Sequence, residues 1–398
     1  DIAKRFLESG AKATIWDIDE KELIKASKKL NNPDLSYHVV DVSNFTKVKD
    51  TIDEILKSNK SKYDCVIPYS GDAEDYHVVD LVLGLGMNPL MVSVNDYFMN
   101  EIGWHNSHNL ITYFDLDSYQ FNPEISTYKE LVRTSMRKHN HALWPSFALK
   151  TSFPIHVAKQ KKIPLVITGQ NQSIEQVGKF SHIDEVQITS WSRTEHDLLG
   201  FTINELLGSG GHVVAKDHPY YSYPNLMKLG KGQLVGLYLS NYFLWDPLLQ
   251  NTQATRFGFM PQNQISTFDP YERAGNSMYY NFHDLSKMLR CGYRKVTDHV
   301  NREIRHKRLD QNEGKEIIKH YESKPVYIKD FFEWLDVSNS GYEWFKSHKL
   351  NNVQHLISDT KSNNSSVKFT LPQKLKKEIV QGRFPQQPFQ TFMKGIRL

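Results

Sequence analysis

The segment Tyr63–Pro68 (YDCVIP) runs into the turn Tyr69-Ser70-Gly71-Asp72-Ala73-Glu74-Asp75, then a helical stripe over Tyr76–Leu85. A second apolar run, Pro89–Val94, follows and stops at Asn95-Asp96. An apolar run with no polar face makes a strand that must be covered on both sides. Strands of that kind joined by helices belong to a parallel sheet. The same rhythm recurs along the chain. Ala13–Trp16 reads as a strand ending at Asp17, Lys21–Leu30 as a helix, Tyr37–Val42 as a strand with Asp41 near its end, and Phe45–Lys57 as a helix. Tyr128–His139 and Ser146–Gln160 read as helices, the second interrupted near Pro154. Ile163–Thr168 reads as a strand ending in Gly169-Gln170-Asn171. The pattern predicts an α/β fold, a mostly parallel Rossmann-like sheet flanked by helices, with ligands outside the carboxyl ends of the strands.

Beyond about residue 195 the alternation loosens. Gly208–Gly211 reads as a flexible turn, and Leu285–Glu322 and Ile328–Leu335 as helical. Residues 358–366 (SDTKSNNSS) have the composition of a disordered linker, and the tail after them is basic and weakly patterned. The expected division is an α/β segment over 1–62, a nucleotide-binding domain over 63–200, a helical substrate region over 201–350, and a linker with a poorly ordered tail over 351–398.

Composition narrows the function classes. Lys+Arg 49 against Asp+Glu 45 leaves a net charge of +4, interspersed along the chain, which argues against a nucleic-acid binder. No apolar run approaches the roughly 20 residues of a membrane helix. Two cysteines, Cys65 and Cys291, make neither a disulfide framework nor a four-cysteine zinc site, and neither lies in a nucleophile setting. The reducing cytoplasm is the expected compartment. The chain opens at Asp1 inside a helical pattern and reads as a piece of a longer or processed protein. His105 and His108 have no third ligand nearby in sequence and read as solvated or core histidines.

Two resemblances follow from longer blocks. IAKRFLESGAKATIWDIDEKEL and VVDVSN resemble a slice of a short-chain dehydrogenase/reductase, which implies that Asp17 would hold an adenosine ribose and Asp41 would lie beside adenine. The glycine loop that seats the pyrophosphate is absent, and the only Tyr-x-x-x-Lys spacing, Tyr342/Lys346, lies far away. This segment is therefore expected to bind no nucleotide, and the chain reads as a fusion spliced near Tyr63.

Residues 63–350 resemble the N-acetyl sugar amidotransferase family, a branch of the PP-loop ATP pyrophosphatases. The resemblance rests on YDCVIPYSGDAEDYHVVDLVLGLGMNPLMVSVND, ITGQNQSIEQVGKFSHIDEV, LVGLYLSNYFLWD and CGYRKVTDHVNREIRHKRLDQNEGKEIIKHYE, in family order. It implies ATP and Mg²⁺ as cofactors, an N-acetyl sugar as substrate, and ammonia from a separate glutaminase subunit. An adenylated acetamido oxygen would be displaced by ammonia to leave an acetamidino group. Ser70, Gly71 and Asp75 match the family's SGGxDS loop, whereas Asp72 replaces its second glycine and Tyr76 its final serine. Asp72, Glu74 and Asp75 are the candidate Mg²⁺ ligands, with Asp75 and Gln170 as candidate catalytic groups. Ser93, Asn95 and Gly169 join the expected ATP site. Gln176, Gly178, Tyr238, Trp245, Asp246, Arg302 and Arg305 are candidate substrate contacts. The alternative is a degenerate homologue that keeps the sheet as a binding or scaffold protein.

Overall fold

The computed structural model describes residues 3–4, 7, 13–41, 62–170, 187–189, 193–207, 218–224, 234–275, 277–361 and 369–380. Near the start, β1 (Ala13–Asp17), α1 (Glu20–Leu30) and β2 (Leu35–Val39) form a parallel two-stranded unit. Asp19 caps α1 by accepting the Lys21 and Glu22 amides. β2 starts two residues before the expected Tyr37 and ends at Val39 rather than Val42; Ser36 and Tyr37 are both exposed, so no buried run marks where it starts.

The main sheet has five strands, all parallel: β3 (Cys65–Pro68), β4 (Pro89–Val94), β5 (Ser118–Phe121), β6 (Leu165–Thr168) and β7 (Val235–Tyr238). Their spatial order is β5-β4-β3-β6-β7. The chain builds outward from β3 through β4 to β5, then crosses back to lay β6 on the other side of β3. The crevice between the ends of β3 and β6 is thus the switch point where open α/β sheets bind ligands. β3 has a partner on each side, β4 and β6, and neither is β1 or β2. It is the central strand of this sheet.

The helices between strands are α2 (Ala73–Gly84), α3 (Glu101–Phe114), α4 (Ile125–His139) and α5 (Trp144–Lys161). Successive strand residues face opposite sides. Val66, Leu90, Val92 and Val166 enter one core with Trp144, Leu149 and Phe331. Cys65, Ile67, Met91 and Ile167 enter the other with Tyr76, Val79 and Leu248. α5 runs unbroken through Pro154, where an interruption is expected from sequence. Its buried side chains Leu149, Phe153 and Val157 fix it against the sheet, which outweighs one lost helix hydrogen bond.

After β7 come α6 (Pro247–Ala254), α7 (Tyr280–Cys291), α8 (Lys295–Arg305), α9 (Gln311–Glu322), α10 (Lys329–Trp334), α11 (Asn339–His348) and α12 (Gln373–Val380). The stretch Leu285–Glu322 is thus three helices. Gly292, left-handed at φ 79°, ends α7, and Asp310 with Glu313 forms a capping box that starts α9. Within the range expected to be linker and tail, α12 is helical and Leu375 is fully buried. The expected helix over Phe45–Lys57 and the turn Gly208–Gly211 lie outside the described residues. No described helix is long and apolar enough to cross a membrane.

Candidate functional site

The turn after β3 is shaped by Gly71. Its φ is +83°, and a Cβ there would stand 2.7 Å from the backbone nitrogen of Ser107, so only glycine fits. The amides of Ser70, Gly71 and Asp72 converge, as in an anion-binding nest. The anion they hold is internal: Oδ2 of Asp75 accepts all three, at 2.8, 2.9 and 3.0 Å. Burial pushes the Asp75 carboxyl up to about 7 and the neighbouring charge of Asp72 adds to this, while the three amides oppose it. Asp72 is the N-cap residue of α2, with Ser70 Oγ 3.4 Å from its Oδ2. Tyr76, at the position of the family serine, belongs to the core. Its hydroxyl donates to the Asn106 carbonyl at 2.8 Å and accepts from Asn109 at 2.7 Å, and its ring meets Phe114 and Phe259 edge-on.

The loop after β6 is locked to this turn. The amide of Gln170 donates to Glu74 Oε1 at 2.6 Å. A Cβ on Gly169 would overlap that carboxylate and approach Val78 Cγ2 to 2.9 Å. Burial pushes Glu74 up to about 8, although the Gln170 amide pulls the other way.

A polar cavity of about 80 Å³ opens at this junction. Asp72, Glu74 and Gln170 form one wall, and Glu272, Arg273, Lys295 and Arg302 form the other. The opposite wall belongs to a buried charge network. Lys295 Nζ lies 3.4 Å from Glu272, and Arg302 contacts Asp269 at 2.7 Å and Glu303 at 2.6 Å. Burial would raise Glu272, but His299 and Lys295 hold it well below the usual carboxylate range.

Among the described residues, Asp269, Glu272 and His299 form the one cluster with the spacing of a metal set. The fit is poor. His299 Nδ1 faces Thr267 Oγ1 at 2.6 Å and its Nε2 faces Glu272, while Arg302 and Lys295 already neutralise the carboxylates. Of the three carboxylates expected to hold Mg²⁺, Asp72 and Glu74 line the cavity with hard oxygen donors of the right kind. Asp75 is engaged in the nest.

The remaining sequence candidates are dispersed. Tyr238 is buried at the end of β7 with Arg193 over its ring, and Trp245 is buried against His77. Asp246 caps α6 and is gripped by Arg308 at 2.6 and 2.8 Å. Burial would raise its carboxyl, but Arg308 holds it below the ordinary value. None of these three lines the cavity. Arg302 does, and Arg305 is exposed. Asp298, on the same helix as Arg302, pairs with Lys287 at 2.5 Å. Asn95 braces a turn, donating to Asn122 and accepting the Tyr97 amide. His105 Nε2 meets the Gly258 carbonyl at 3.1 Å. Tyr342 is buried in the core, and Asp17 accepts the Asp19 amide. Gln176 and Gly178 lie outside the described residues.

A second cavity, of about 110 Å³, lies between the ends of β3 and β4. Ser70, Asp75, Ser93 and Lys150 line it with Pro68, Tyr69, Val92, Val94 and Pro154. Ser93 is 3% exposed and its hydroxyl has no hydrogen-bond partner. Sequence reasoning did not single out Lys150, Glu272, Arg273, Lys295 or Arg308. They come from helices and loops remote in sequence from the turn after β3; Lys295 has a local partner, Asp298 three residues on at 3.8 Å, but that spacing reads as an ordinary helix pair rather than as a site.

Residues 254–365 match the family model for the C-terminal domain of LPS biosynthesis proteins of the WbpG-like type. No curated protein matches the chain. The matched block supplies Tyr271, Glu272, Arg273, Lys295 and Arg302 to the first cavity.

Proposed function

We propose that this chain is an ATP-dependent amidotransferase of lipopolysaccharide biosynthesis, acting on an N-acetyl sugar. One observation carries the reading. The charged residues of the block similar to LPS biosynthesis proteins face the loops after β3 and β6 at the switch point of a parallel sheet. An amide carbonyl is a poor electrophile, so the acetamido oxygen must first become a leaving group. Adenylation does this and releases pyrophosphate. Ammonia, supplied by a separate glutaminase subunit, then adds to the amide carbon, AMP leaves, and an acetamidino group remains. Asp72 and Glu74 would hold the Mg²⁺ that accompanies ATP. Ser70 and Gly71 would face its phosphates, Arg302 and Lys295 would orient an anionic part of the sugar ligand, and the packed loops would exclude water.

A second reading has its own support. The nest amides are filled by Asp75, as they would be in a homologue that has lost phosphate binding and acts as a binding or scaffold protein. Calorimetry with ATP, with and without Mg²⁺, separates the two. Mg²⁺-dependent binding, followed by pyrophosphate release on adding ammonia and a nucleotide-linked N-acetyl sugar, is expected of the enzyme. No ATP binding in either condition overturns the catalytic reading. NADH is expected not to bind.

A further inference from the structure

We propose that Lys150 is the cation that receives the phosphate next to the nucleoside of a bound adenine nucleotide, in the cleft between β3 and β4. The proposal rests on the ATP reading above and adds to it a residue from α5, outside every block that suggested that reading. Lys150 lines the second cavity together with Ser70 and Asp75 from the turn and Ser93 from β4. Among the residues lining that cavity it carries the positive charge, and Asp75 the negative. A phosphate approaching a turn that bears the acidic residues Asp72 and Asp75 meets repulsion, so a seat for it needs a compensating cation.

The position of Lys150 is built rather than incidental. Its ammonium lies 2.5 Å from Asp96 Oδ2. Asp96 is 2% exposed and also accepts from Ser146 Oγ at 2.7 Å and from the Phe98 amide at 3.2 Å. One ammonium hydrogen goes to Asp96, and two more donors are left for a ligand. The next residue, Tyr97, is held left-handed at φ 61°, a conformation that a bulky side chain adopts only when its surroundings impose it. Asn95 Oδ1 accepts the Tyr97 amide at 3.0 Å, and the Tyr97 hydroxyl donates to the Pro123 carbonyl. That turn aims Asp96 inward. One helical turn beyond Lys150 stands Pro154, which has no N–H to close onto the Lys150 carbonyl and which lines the same cavity.

Ser93 is an independent pointer to a ligand. A hydroxyl buried without a partner is rare in folded proteins, and here it belongs to the cavity that holds Lys150. A phosphate or ribose oxygen would satisfy it. The walls of Pro68, Val92, Val94 and Pro154 offer apolar surface beside these two polar groups, as expected for a ligand with a charged end and a flat apolar body.

The test measures ATP, AMP and adenosine binding to the full chain by calorimetry, for the unaltered protein, Lys150→Met, Lys150→Arg and Asp96→Asn. Lys150→Met should weaken ATP and AMP roughly tenfold to a hundredfold, the range of a lost charge-assisted hydrogen bond, and leave adenosine within about twofold. Lys150→Arg should restore most of the loss, and Asp96→Asn should fall between. In the unaltered protein, added salt should weaken ATP more than adenosine, a readout that stands even if Lys150→Met fails to fold. Equal weakening of adenosine and ATP in folded Lys150→Met would mark a structural role and overturn the proposal. So would nucleotide affinities unchanged by that substitution, with the ATP reading left standing. Binding of none of the three ligands to the unaltered protein overturns both.

Discussion

Gly169 brings β6 closer to α2 than an alanine would permit. Gly169→Ala must displace Glu74 and press on Val78, and such overpacking costs about 1–3 kcal/mol. Urea unfolding measures it, and a Glu74→Ala background should recover part of the loss, because it removes the carboxylate from the contact. Equal stability of Gly169→Ala and the unaltered chain would contradict this packing. The same carboxylate gives a pH signature. Burial raises Glu74 from an ordinary 4.5 to about 8, so between those values the folded chain binds more protons than the unfolded one. Stability from this group is complete below the lower value and is lost as pH rises through the window. Glu74→Gln cannot ionise, and its urea midpoint should fall less than that of the unaltered chain on going from about pH 5 to about pH 8. A parallel fall would mean that Glu74 titrates normally. Gly169 and the Ser70–Asp75 turn were legible because each sits where an apolar run ends. Lys150 was not, because its partner Asp96 lies on another element and no local pattern joins them.

Tyr76 marks where an element overrides a motif. The family loop calls for a serine, but the first buried turn of α2 needs a large side chain against α3. The Tyr76 hydroxyl bridges Asn106 and Asn109, two buried polar residues that blur the apolar stripe of α3 and explain why that helix was not read from the sequence. β5 escaped for the opposite reason: it is an edge strand whose side chains are mostly exposed, so no apolar run announces it. Tyr76→Phe leaves the ring and removes the bridge, and is expected to cost about 1–3 kcal/mol. Tyr76→Ser, which would restore the loop pattern, leaves a cavity and should cost about 3–5 kcal/mol, enough to endanger folding. Thermal melts of both variants check the order. A Tyr76→Ser protein as stable as Tyr76→Phe would place Tyr76 outside the core. The stretch Leu285–Glu322, read from sequence as helical, is divided among α7, α8 and α9. Gly292 and the Asp310–Glu313 box were the signals that divide the stretch, and they are legible once read as stops and starts rather than as interruptions.

The first cavity is assembled from segments far apart in the chain, and its wall is braced by a segment that composition alone labels as tail. α12 seats Leu375 in the core, and the carbonyl of Ile379 accepts a hydrogen bond from the Tyr271 hydroxyl at 2.6 Å. Tyr271 lies in the wall of that cavity beside Glu272 and Arg273. Phe369 stacks on His320 of α9, and Thr252 of α6 reaches the Glu378 carbonyl at 3.4 Å. The tail helix thus buttresses α6, α9 and the loop that carries the cationic wall. A short basic helix gives a weak signal in sequence because, of its described side chains, Leu375 alone is fully buried, and it joins a core whose other members lie well before it in the chain. Leu375→Ala should destabilise the chain by about 2–5 kcal/mol, the range for a fully buried leucine. A chain ending at residue 361 should lose at least as much, because the Tyr271 and Thr252 hydrogen bonds disappear with it. If Tyr271 positions the cavity wall, the truncated chain should also bind ATP more weakly at temperatures where it remains folded. Chemical unfolding and calorimetry on the same preparations distinguish the two effects. Truncation that changes neither stability nor binding would show α12 to be dispensable, and the switch-point cavity to be complete without it.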